Sequence, residues 1–124
     1  MKRIFIPVVG LLFAGWMAWG GTAFAHGERG GSQVVTGEVV DLACYLGEGE
    51  MGPAHADCAQ KCIASGLPVG IKSGDQLYLV IAGEHGPANA TLAPMAGKQV
   101  TAEGEVTERD GIHLLALRKV TMKQ

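Results

Sequence analysis

A two-residue hydrophobic period does most to limit what this chain can fold into. In KQVTAEGEV, residues 98–106, Val100, Ala102, Gly104 and Val106 alternate with Gln99, Thr101, Glu103 and Glu105. That is the pattern of a strand with one buried face and one wet face. The same period runs through QVVTGEVVDLACYL, where Val35, Gly37 and Val39 alternate with Thr36 and Glu38. This first strand carries Cys44 at its end, and Gly37 inside it predicts a bulge or a sharp bend. LPVGIK and QLYLVI are two more strands, and Ser73-Gly74-Asp75 between them is turn chemistry, so the pair forms a hairpin. After the turn ERDG, the last strand IHLLALRKV is nearly continuous in apolar residues, which predicts burial on both sides at its centre. Residues 82–97 read as loop with one helical turn around Asn89–Leu92, and no internal repeat is visible.

One segment breaks the period. GEGEMGPAH, residues 47–55, is a loop, and a short helix follows it. Asp57 is a good N-cap and Gln60 falls three residues later, as in a capping box. The helix then runs from Cys58 to about Ser65, with Gly66 as its left-handed terminator. An earlier start at Pro53, with proline in the first turn, is the alternative.

Five strands, a small helix between the first and second, and a helical turn between the third and fourth make a mainly β domain. The order strand, hairpin, connection, hairpin resembles a small five-stranded OB-like barrel over residues 33–121. The cysteine-bearing segment 44–66 is then a helical insertion after strand 1, in a loop where such barrels bind ligands. The resemblance is one of pattern, to small exported bacterial domains, and carries no chemistry with it.

Residues 1–25 predict the compartment. Met1-Lys2-Arg3 is a short positive start, an uncharged apolar run extends from Ile4 to Phe24, and Ala23-Phe24-Ala25 is a small-x-small site. That is the layout of a secretory signal peptide, with a periplasmic or secreted product cut after Ala25. A retained membrane anchor is the alternative, since the run nearly spans a bilayer. HGERGGS, residues 26–32, is a flexible start, and residues 33–124 form the single domain. Cleavage leaves 99 residues with 8 basic and 12 acidic side chains and only two aromatic rings, Tyr45 and Tyr78. That acidic balance argues against nucleic acid as a partner. The scarcity of rings argues against a single-strand platform.

Cys44, Cys58 and Cys62 all follow the signal segment, and three is an odd number for an exported domain. On a regular helix Cys58 and Cys62 sit one turn apart with Cα atoms about 6 Å from each other, near the upper limit for a disulfide. Cys58 as first helical residue would feel the helix dipole, opposed in part by Asp57. His55 can fold over the site if the helix starts at Cys58. If the helix extends back through His55, His55 and Cys62 are about 10 Å apart along the axis, too far to share one ion.

Cys44, His55, Cys58 and Cys62 together are the donors of a soft-metal site, zinc or copper(I). The Cys-x3-Cys pair is similar to the metal-binding pair of Sco-type copper chaperones and of the dinuclear copper centre of cytochrome oxidase. It departs from the first in carrying Ile63 where those proteins have proline. It departs from the second in carrying Gly66 where that centre has histidine. Haem c is disfavoured, since no histidine follows Cys62.

Two alternatives stand beside the metal site. One is a thiol–disulfide redox protein with Cys58 attacking and Cys62 or Cys44 resolving. The other is a non-catalytic binding module pinned by one disulfide from Cys44 to Cys58 or Cys62, worth roughly 2–4 kcal/mol. His26 and His85 are outlying metal candidates, and His113 reads as structural. Met51 and Met95 are possible soft ligands that packing also explains. Ser32, Ser65 and Ser73 sit in no nucleophile motif, and no phosphate-cradling loop occurs, so an enzyme is the weaker expectation. The expected partners are a metal ion and a protein for metal or thiol exchange, with the membrane engaged only through an uncleaved signal segment. N-terminal sequencing of the chain recovered from the periplasm is expected to read His26 first; a first residue of Met1 would identify an anchor instead.

Overall fold

The computed structural model describes residues 31–83 and 85–124. The signal segment expected at 1–25, most of the N-terminal tail expected at 26–32, and His26 lie outside the described residues. β1 (Ser32–Asp41) leads into α1 (Leu42–Glu48), a 3₁₀ turn at Pro53–His55, and α2 (Ala56–Ala64). β2 (Val69–Ser73) and β3 (Gln76–Ala82) follow. Then come a two-residue β4 (Gly86–Pro87), α3 (Asn89–Leu92) and a second 3₁₀ turn at Ala93–Met95. β5 (Gln99–Arg109) and β6 (Ile112–Met122) complete the order.

The pairing closes a ring. β1 is antiparallel to both β2 and β5, β2 is antiparallel to β3, and β5 is antiparallel to β6. A parallel pairing of β3 with β6 shuts the barrel. This is the small OB-like barrel that the strand pattern predicts, with β4 added outside the ring against β3. The two tight hairpins use the residues their turns require. Gly74 and Asp75 link β2 to β3, with Gly74 at φ 55°. Asp110 and Gly111 link β5 to β6, both at positive φ.

The barrel interior holds Val35, Val39, Val69, Ile71, Val80, Val100, Ala102, Val106, Leu115 and Leu117. Ala59 and Ile63, one turn apart on α2, join that core with Leu92, Ala93 and Ala96 from the second helical segment. The helical insertion is therefore part of the core rather than an ornament on it. Among the described residues no helix is long and apolar enough to cross a membrane.

Four local expectations are corrected. β6 is not buried on both sides: Leu115 and Leu117 are buried while Leu114 and Ala116 are only half-buried, and among the described residues no helix packs closely on its outer face. The strand buried on both faces is β1, continuously from Gly37 to Asp41, because the helices lie over its outer side. The β1–β5 register runs through Gly37 without a bulge. Instead Gly37 lies where β1 begins to pair with β2, and a Cβ there would strike the Lys72 carbonyl. The register shift falls between Glu103 and Gly104. The fourth correction concerns Cys44, which lies in α1 and not at the end of a strand.

Gly104 is required by close approach. A Cβ built on it would press into the Ala116 carbonyl and the Leu115 side chain at the bulge. Gly104→Ala is expected to destabilise by roughly 1–3 kcal/mol through overpacking. Gly47→Ala, which meets nothing within 4 Å inside α1, should be neutral or stabilise by up to about 1 kcal/mol. Denaturant melts of both variants check the contrast.

Candidate metal centre

The site is laid out by two acids on β1. Asp41 ends the strand and caps α1: its Oδ1 accepts from the Ala43 amide at 3.1 Å and its Oδ2 from the Cys44 amide at 3.1 Å. This satisfies amides that a helix start leaves without partners, and it places Cys44 in the first turn. Three residues earlier, Glu38 accepts a short hydrogen bond from the Gly52 amide through Oε1. That bond ties the loop before the 3₁₀ turn back to the barrel wall.

The 3₁₀ turn runs straight into α2. The His55 amide donates to the Gly52 carbonyl at 3.1 Å, and the Ala56 amide donates to the Pro53 carbonyl. α2 therefore has no bare N-terminus for Asp57 to cap, and Asp57 is an exposed residue of its first turn. The capping start at Cys58 is replaced by the earlier start near Pro53. The C-terminal expectation holds: the Gly66 amide reaches the Ile63 carbonyl at 3.0 Å and the Leu67 amide reaches Cys62 at 3.1 Å, with Gly66 at φ 103°.

Three free thiols meet between these two helices, and no disulfide joins any pair of them. The donor atoms of Cys44, His55 and Cys58 all lie within 4.8 Å of one another. So do those of Asp41, Cys44 and Cys62. The four residues singled out from the sequence thus do not form one mutual set. They divide into two triads that share Cys44, and the second triad recruits Asp41. His55 is grouped with Cys58 and not with Cys62, as the helix running back to Pro53 requires. A zinc–sulfur bond of about 2.3 Å puts ligand atoms about 4 Å apart.

His55 carries a second signal. Its side chain is 15 % exposed, its Nδ1 faces Glu50 at 3.9 Å, and its Nε2 is buried with no hydrogen-bond partner. A buried polar atom left without a partner costs about 1–3 kcal/mol unless something binds it. At 3.9 Å Glu50 is an electrostatic neighbour of one ring nitrogen and not its hydrogen-bond partner, so the free second nitrogen is the feature that suits a metal-ligating imidazole.

The electrostatics of the cluster are one-sided. Asp41 and Glu38 are 1 % and 6 % exposed, and neither has a lysine, arginine or histidine ion-pair partner among the described residues. The Asp41 hydrogen bond, reinforced by burial, by the Asp41 charge and by neighbouring Cys62, pushes the Cys44 thiol up to about 12. Burial raises Cys62 as well, helped by the Asp41 charge and by Cys58. Cys58 is the exposed thiol of the three.

The remaining candidates fall elsewhere. His85 is exposed in the β3–β4 loop and belongs to neither triad. His113 stacks at 56° on Tyr78 with ring centroids 5.7 Å apart, a packing role. Met51 lines a narrow crevice beside His55 and Glu38, and Met95 packs against the core. A larger cleft of about 690 Å³ lies on the other side of α1, lined by Leu42, Leu46, Leu77 and Ile112, and no cysteine reaches it. Asp41 and Glu38 are the residues that reading the sequence missed. Asp41 before Leu-Ala-Cys-Tyr-Leu had the signature of an N-cap; Glu38, on the polar beat of a strand, had none.

Comparisons with protein-family models, with curated proteins and with solved structures return no match.

The raised Cys44 thiol carries a pH signature in the reduced, metal-free protein. Above its ordinary value of 9.0 the unfolded chain releases this proton while the folded chain keeps it up to about 12. The stability it contributes is complete below pH 9 and is lost as pH climbs from 9 towards 12. Denaturant midpoints taken from pH 7 to 10.5 should fall more steeply for the native sequence than for Cys44→Ser. Parallel curves would refute the assignment.

Proposed function

We propose that this chain is an exported soft-metal protein that holds copper(I) or zinc at Cys44, His55, Cys58 and Cys62 and acts in metal handling or sensing. The observation that carries the reading is the cluster of three free thiols, two of which, Cys44 and Cys58, lie within 4.8 Å of His55, an imidazole whose buried Nε2 has no hydrogen-bond partner among the described residues. Thiolate and imidazole are the ligands that both ions take. Two buried acids without cationic partners add negative charge beside them. Cys58 at the surface gives an incoming ion, or a partner protein delivering one, a first ligand to exchange.

The thiol-redox alternative is weaker on these observations. A resolving cysteine acts as its thiolate. Both possible partners of Cys58 are pushed upward and stay protonated at neutral pH. The disulfide-pinned module draws no support from three free cysteines.

Copper(I) competition against a coloured chelator tests the proposal. Cys58→Ser combined with Cys62→Ser should weaken binding by more than the roughly 10–100-fold that loss of an outer-shell partner costs. A double variant that binds as tightly as the native sequence sinks the reading. Binding should also weaken as pH falls, since each thiol must release its proton to ligate.

A further inference from the structure

Resting on the metal-binding reading above, the geometry points to two ion positions rather than one, bridged by the sulfur of Cys44, with Asp41 as an added ligand of the inner position. The outer position is Cys44, His55 and Cys58; the inner is Asp41, Cys44 and Cys62.

Three observations support this. The first is the division of donors. The four Cys and His donors do not all lie within 4.8 Å of one another, yet each triad does and the two share Cys44. A thiolate sulfur has lone pairs for two ions, so sharing costs no ligand.

The second is the capacity of Asp41. A carboxylate offers about four lone-pair sites. The Ala43 and Cys44 amides take one on each oxygen. The Cys44 sulfur lies within 4.8 Å of a carboxylate oxygen of Asp41. The helix cap and an ion can thus occupy Asp41 together.

The third is charge. With all donors deprotonated, the two positions hold four negative groups: Asp41, Cys44, Cys58 and Cys62. Buried charge must be compensated, and among the described residues no basic side chain pairs with Asp41. One divalent ion leaves two negative charges in a half-buried cluster, whereas two divalent ions leave none. A donor set of two sulfurs and a carboxylate oxygen suits borderline zinc(II) better than copper(I), and two sulfurs with an imidazole suit either.

Zinc(II) is the probe, read as ion count by native mass spectrometry of the intact reduced protein, with circular dichroism to confirm that each variant is folded. The native sequence is expected to take two zinc ions. Cys58→Ser or His55→Ala should keep one, Cys62→Ser or Asp41→Asn should keep one, and Cys44→Ser should lose the bridged pair. Asp41→Asn is the informative variant, because asparagine is itself a good N-cap that keeps one of the two amide hydrogen bonds while removing the charge. One zinc on the native sequence, abolished alike by Cys58→Ser and Cys62→Ser, would overturn the two-position centre and leave the metal reading intact. Two zincs with Asp41→Asn unchanged would overturn the role of Asp41. Neither zinc nor copper(I) on the native sequence would remove the metal reading itself.

Discussion

The structure depends on how one buried carboxylate is satisfied. Asp41 stands at the end of β1 with 1 % of its surface exposed, and its oxygens are met by the amides of Ala43 and Cys44. Those amides are available only if the chain turns from strand to helix at that point. Satisfying the acid therefore ends β1, starts α1 and delivers Cys44 to the barrel mouth in one step. Glu38 repeats the device at longer range. By taking the Gly52 amide it draws the returning loop onto the barrel, and the 3₁₀ turn with His55 and then α2 follow from that anchor. Two acids on one strand thus place all four sulfur and imidazole donors.

The apolar half of α2 holds what the acids position. Ala59 and Ile63 enter the barrel core, while Cys58 and Cys62 lie one residue earlier in each turn, on the adjoining stripe. The sulfurs therefore sit at the edge of a packed face and inherit its rigidity. The far end of α2 is closed by Asn89, whose Nδ2 donates to the Ile63 carbonyl at 2.8 Å and to the Leu67 carbonyl at 2.7 Å. The second helical segment thereby becomes a brace for the first. Ligands on an element fixed along one face and at both ends keep their spacing without an ion, which is the condition for a preorganised site.

The same physics explains what could be read in advance. The barrel strands were legible because alternation reports a half-buried ladder directly, and the hairpins because Ser-Gly-Asp and Arg-Asp-Gly fit turns of positive φ. The turn at Asn89–Leu92 and the Gly66 terminator are equally local. α1 was hidden because Leu-Ala-Cys-Tyr-Leu continues an apolar strand as readily as it forms a helix, and only the Asp41 cap decides between them. The burial of Glu38 and the two-sided burial of β1 were not readable at all. They arise when residues 42–64 fold over a strand whose own pattern predicts a wet face. For β6 the difference runs the opposite way, since its apolar outer residues Leu114 and Ala116 are only half-buried among the described residues. Of the site, the three cysteines and His55 were visible as chemistry. Their division into two triads was not, because it depends on the 3₁₀ turn that replaces the expected helix start.

Under the proposed metal reading, protons and cations are alternative occupants of this centre. Beside a buried carboxylate, Cys44 and Cys62 hold their protons above the ordinary thiol range. That lets the acid remain buried as a structural cap in a protein with no ion bound. A soft cation reverses the balance, since it draws the thiol protons off and converts the cluster into an anionic cage that it neutralises itself. The exchange begins where water has access, at exposed Cys58, and Cys44, which belongs to both triads, links that thiol to Asp41. Under the metal reading, the gradient from exposed thiol to buried carboxylate gives the centre a direction. An ion is met at the surface by ligands that can let it go. Further in, it is held by a carboxylate that the fold itself requires.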